Sequence, residues 1–139
     1  MKIKRYNGTP TESEQNEMIF YIQSHGYNAG KPLRNPISNC WEYRTQRPQD
    51  FEILTIVFQS KILKTFIIGS VIPFLRLDDY RKVIAPILEK GILQSGELNA
   101  KYLQIRKIED LEKLLQQKQK LYTEMKQKIC VESIKKLTL

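Results

Sequence analysis

The sequence predicts an α+β fold: an antiparallel or mixed sheet of about four strands, two helices packed on it, and a long C-terminal helix. Three observations carry that prediction. The stretch Phe51–Leu75, FEILTIVFQSKILKTFIIGSVIPFL, is the densest run of strong β-formers in the chain. Its halves, Phe51–Phe58 and Thr65–Leu75, are apolar at odd and even positions alike, so both faces of a strand pair there would be covered. Residues 77–91 carry apolar side chains at helical spacing, and residues 109–136 form a longer, sparser helical pattern.

Each element follows from local signals. Lys2–Tyr6 alternates and reads as a short edge strand, closed by the turn Asn7-Gly8-Thr9-Pro10. Thr11 as N-cap and Glu14 three residues on form a capping box, predicting a helix from Glu12 to Ser24 with Met18, Ile19 and Ile22 inward. His25-Gly26 ends it, with His25 as a helix-terminus residue favoured by the dipole. Tyr27–Pro36 is a loop. Ile37–Thr45 reads as a strand with Asn39, Trp41 and Tyr43 on one face and Cys40, Glu42 and Arg44 on the other. The Phe51–Leu75 strand pair is the expected sheet centre, with a bulge or one-sided pairing at Pro73.

A second helix starts at Leu77-Asp78-Asp79, with Asp78 as N-cap and Tyr80, Val83, Ile84, Ile87 and Leu88 on one face. Pro86 is expected to kink or shorten it, and Gly91 to close it. Lys101–Ile108 reads as a further short strand. The long helix then begins at Glu109-Asp110, acidic at its start and basic at Lys135-Lys136, matching the helix dipole. Its apolar residues, 111, 114, 115, 121, 122, 125 and 129, form a stripe broken by Lys118. Unbroken, it spans on the order of 42 Å, and part of it projects or packs against another chain. The alternative is a break near Cys130-Val131, with the helix folding back over the second sheet face. The expected organisation is a core domain over residues 1–108 and a helical extension over 109–139.

Bulk properties bound the function. The chain has 139 residues, 41% of them hydrophobic and 27% charged, enough for a real core. A formal net charge of +8 favours anionic partners. The surplus is diffuse until residues 106–139, where nine Lys/Arg stand against five Asp/Glu. Cys40 and Cys130 read as free thiols. The start, MKIKRYNGTP, lacks the apolar region of a signal peptide, and no stretch reads as a membrane span, so a cytoplasmic location is expected.

No constellation for catalysis assembles. Gly26–Pro32 is one residue short between its glycines for a phosphate loop, and Pro32 stands where the hydroxyl is needed. His25, Cys40 and Cys130 lack the spacing of a metal site or a nucleophile pair. Asp78-Asp79 reads as helix capping rather than a magnesium site. The expectation is a non-enzyme without cofactor or metal. The candidate contact surface is Asn28–Arg44, where Lys31, Arg34, Asn39, Trp41, Tyr43 and Arg44, with Asn35, combine cations with rings that stack bases. Two alternatives stand beside it: Trp41 is core and the cations are solvated, or the same patch binds a protein.

The segment GYNAGKPLRNPISNCW, through Asn28, Gly30, Lys31, Pro32, Asn39, Cys40 and Trp41, resembles a family of small uncharacterised proteins of gut-bacterial genomes and mobile elements. The resemblance covers residues 18–90. It implies a phage, conjugative-element or accessory-gene product and no catalytic residue. The expected function is a nucleic-acid-binding accessory protein contacting DNA or RNA. The alternative is a protein-interaction or self-assembly module, a homo-oligomer through the C-terminal helix.

Overall fold

Four short segments pair into one antiparallel sheet in the computed structural model, which describes residues 1–9, 12–93 and 95–138. β1 (Lys2–Arg5), β2 (Met18–Gln23), β3 (Pro32–Leu33) and β4 (Cys40–Thr45) lie in the order β1-β4-β2-β3. The register sets Ile3, Tyr43 and Phe20 in one row and Arg5, Trp41 and Ile22 in another. Because strand side chains alternate, Ile3, Phe20, Ile22, Trp41 and Tyr43 share one face, and all five are buried. Tyr21, Cys40, Glu42 and Arg44 share the other, where Tyr21 meets Tyr6 edge-on at 5.2 Å.

The expected strand pair at 51–75 is instead α1 (Gln49–Gln59), a 3-10 helix (Ile62–Phe66) and an irregular hairpin closed by one bridge, Ile68 to Phe74. A short apolar run fits either period, and here neighbouring contacts decide. Phe51, Ile53, Leu54 and Val57 are buried at helical spacing, while Ile56 and Phe58 stay partly exposed. Phe51 packs edge-on against Phe20 at 5.1 Å. Lys61 ends the segment in the left-handed conformation, φ 66°. Pro73 sits in the hairpin, its carbonyl accepting from the Gly26 amide at 2.7 Å.

The expected helix at 12–24 is likewise corrected. Residues 15–16 form a turn with Asn16 at φ 67°, and Met18–Gln23 is strand β2 at the sheet interior. The run Ile19, Phe20, Tyr21, Ile22 is β-branched and aromatic, so strand propensity and pairing on both sides override the capping signal. Thr11, the proposed cap, lies outside the described residues. His25 ends no helix; it bridges to Phe74 and stacks on its ring at 5.8 Å.

α2 (Leu77–Leu93) lays Tyr80, Ile84 and Leu88 on the core, with Tyr80 against Trp41 at 5.3 Å. It begins one residue before Asp78 and runs through Pro86 and Gly91. A Cβ at Gly91 would lie 2.6 Å from the Ile53 Cδ1, so its lack of a side chain sets how closely α2 meets α1. α3 (Ser95–Thr138) takes in the residues expected as a strand at 101–108, starts well before Glu109 and has no break at Cys130 or Val131. Leucine, lysine, glutamine and glutamate dominate it, and all are strong helix formers. The chain divides into two compact units, Met1–Tyr102 and Leu103–Leu139.

Candidate functional site

The sequence-derived contact residues fall into three places. Trp41 is 5% exposed and Tyr43 is wholly buried, both on the core face, so neither ring can stack a base. Arg44 lies on the opposite face, 3.4 Å from the Glu17 carboxylate and 3.6 Å from Glu42, and donates to the Glu12 carbonyl at 3.1 Å. Arg34 lays its guanidinium over the Phe51 ring at 3.6 Å. Lys31 is exposed and has no ion-pair partner among the described residues. Asn39 is exposed in a left-handed turn, φ 58°, which asparagine tolerates.

A buried polar network explains why Tyr43 faces inward. Asp50, in the first turn of α1, accepts from the Tyr43 hydroxyl at 2.8 Å and the Thr45 hydroxyl at 2.7 Å, with Arg47 at 3.4 Å. These bonds tie the start of α1 to β4. Burial, together with the Asp50 charge and hydrogen bond, pushes the Tyr43 phenol well above its usual range. Tyr80 is pushed the same way by burial. Tyr21 rises as well, through burial first and then the neighbouring Tyr6 and Glu42.

The first unit carries a groove of about 610 Å³ between the ends of β1, β2 and β4 and the segment entering α2. Ser24 lies in its wall. The Ser24 hydroxyl donates to the Asn39 carbonyl at 2.5 Å, so the His25 Nδ1–H donates to Ser24 Oγ at 2.8 Å. That direction is opposite to the one that activates a serine nucleophile, in which the imidazole takes the hydroxyl proton. Arg5 and Arg76 also line the groove. Arg76 is paired with Asp79 at 3.0 Å, and Asp78, another lining residue, with Arg81 at 3.7 Å. The charges at this mouth therefore nearly balance, and only Arg5 among the lining cations lacks an ion-pair partner within the described residues.

The second unit carries a different kind of surface. Ile108, Leu111, Leu115, Lys118, Tyr122, Met125 and Ile129 recur at alternating steps of three and four residues, the spacing of a coiled-coil seam. Six of these seven are apolar, and each of the six is more than half exposed. Leu114 and Leu121 flank the seam and are also more than half exposed. Over 103–138 the helix is about 54 Å long at the standard rise. Counting only the apolar positions from Leu111 onward hides this heptad period, because Lys118 then reads as an interruption.

The model of a family described as "Family of unknown function (DUF6943)" matches residues 3–132, which takes in the whole seam from Ile108 to Ile129. No curated protein matches the chain. No solved structure matches it either.

Proposed function

We propose, for a chain that belongs to this family of unknown function, that it is a non-catalytic assembly module whose docking element is the seam of α3. The observation that supports this reading is the heptad run of exposed apolar side chains from Ile108 to Ile129. A lone amphipathic helix in water leaves that surface wet, and its stability comes mainly from packing its apolar face. Covering the seam and its flanks from two helices removes on the order of 1,200 Å² in total, which reaches the lower range of specific interfaces. Light scattering of the full chain is expected to give a dimer or larger species. Leu115→Glu is expected to give a monomer while leaving the Trp41 emission of the first unit unchanged. A wild-type monomer up to high-micromolar concentration overturns the reading.

A second proposal keeps the anionic partner. The surplus of +8 and the exposed Lys31 and Arg5, neither ion-paired among the described residues, favour contact with nucleic acid, in keeping with an accessory-gene role. That contact would be electrostatic and sequence-tolerant, since Trp41 and Tyr43 are core. Binding should weaken steeply with added salt, and a gel shift with no retardation at low salt rejects it.

A further inference from the structure

We propose that the occupant of the α3 seam is a second copy of this chain lying antiparallel, with Leu111 of one copy against Ile129 of the other. The inference rests on the assembly reading above and goes beyond it by fixing partner, direction and register.

Direction follows from Lys118. In a parallel, in-register pair each seam residue faces its own counterpart, so Lys118 meets Lys118 inside the apolar seam. Like charges held close in a partly desolvated site repel, and each ammonium loses water without gaining a partner. Parallel packing keeps one favourable flanking pair, Lys107 with Glu112, at the rim, where such pairs contribute little. In the antiparallel arrangement Lys118 instead faces Tyr122 of the other copy. The lysine stem covers the ring, and the ammonium reaches the ring face or the hydroxyl.

Register follows from the same seam. Setting Leu111 against Ile129 places Leu115 against Met125 and Lys118 against Tyr122, each layer occurring twice by symmetry. The flanking positions then bring Glu112 of one copy beside Lys126 of the other at both ends, and Leu121 beside Leu121 at the middle. A slip of one heptad leaves Ile129 facing Gln104, much as this register leaves Ile108 facing Glu132, but it loses both Glu112–Lys126 pairs, and these pairs decide between the two. The acidic start and basic end of this segment thus become complementary only when the copies run in opposite directions.

The test uses full-length chains in which Cys130→Ser removes the exposed thiol; Cys40 is buried. L111C and I129C are prepared separately, shown by light scattering to dimerise, and oxidised with glutathione disulfide alone and as a mixture. The expected result is a covalent dimer only in the mixture, with mass spectrometry finding a disulfide between the two introduced thiols. Covalent dimers from either variant alone overturn the antiparallel direction. No covalent dimer in any sample, although scattering shows dimers, overturns the register. A monomeric Cys130→Ser parent instead withdraws the assembly reading itself. A charge exchange gives an independent reading: E112K is expected to weaken dimerisation several-fold, and adding K126E to restore it. Rescue by K107E in place of K126E overturns the proposal.

Discussion

Asp50→Ala should strip the joint between β4 and α1. The Asp50 Oδ2 accepts from Tyr43 at 2.8 Å, from Thr45 at 2.7 Å and from Arg47 at 3.4 Å. Tyr43 and Thr45 are both buried, so alanine leaves two hydroxyl donors without an acceptor, at about 1–3 kcal/mol each. The Arg47 pair is partly exposed and adds little. Removing a desolvated carboxylate offsets part of the loss. The net expectation is about 3 kcal/mol, a large share of the roughly 5–15 kcal/mol that holds such a domain. Urea unfolding followed by Trp41, the only tryptophan, reads the core directly. With a slope of about 1.5 kcal/mol/M, the midpoint should fall by about 2 M. Asp50→Asn keeps an acceptor oxygen in place and should lose about 1 kcal/mol. The double variant with Tyr43→Phe should lose less than the two single changes added. An Asp50→Ala protein within about 1 kcal/mol of wild type, or one matching Asp50→Asn, would refute the claim that this carboxylate anchors α1.

Four further outcomes follow from the same reasoning. Gly30 sits at φ +93°, and a Cβ there would lie 2.5 Å from the buried Leu63 Cδ1, so Gly30→Ala should destabilise by about 2 kcal/mol or more in thermal melts. Tyr43 and Tyr80 hold their protons more tightly folded than unfolded. Their contribution is therefore complete below about pH 10 and falls above it, by about 1.4 kcal/mol per pH unit for each tyrosine, and the part of the tyrosinate absorbance that belongs to these two should appear only with unfolding. Cys130 is exposed and Cys40 is buried, so one thiol should react at once with a disulfide reagent and the second only in denaturant. Lys118→Leu should tighten self-association by about tenfold or more and admit parallel dimers, read by sedimentation and by cross-linking of L111C alone.

How much of this was legible depended on whether one period dominated a segment. β1, β4 and the buried face of α2 carry clean patterns, although α2 runs through the expected stop at Gly91 and β4 starts three residues later than expected, and the face assignment of Trp41 and Tyr43 against Cys40, Glu42 and Arg44 holds in the register. Residues 18–23 and 51–58 fit both periods. For the first, a capping signal ahead of the segment pointed to helix, but β4 on one side and β3 on the other supply strand partners. For the second, β-branched content pointed to strand, but Asp50 reaches back to Tyr43 and Thr45 and fixes the first turn of α1. Both decisions rest on contacts distant in sequence, which no local window contains.

Within the candidate contact surface the two rings, Trp41 and Tyr43, are core for a related reason, and their burial carries the functional argument. Trp41 and Tyr43 suit a base-stacking platform and a core equally well in composition; only the sheet's covered face, with α1 and α2 on it, separates the two. Once those rings are core, the large exposed apolar surface with a regular pattern is the one on α3, and Lys118 changes meaning. Counted as a break, it weakens the case for a partner. Placed at a seam position, it discriminates between partners, because a lysine tolerates Tyr122 opposite it and not its own copy. A residue that lowers the stability of every seam but lowers one least selects that one. If Lys118→Leu left both affinity and direction unchanged, Lys118 would be solvated surface and the seam would lie on another face of the helix.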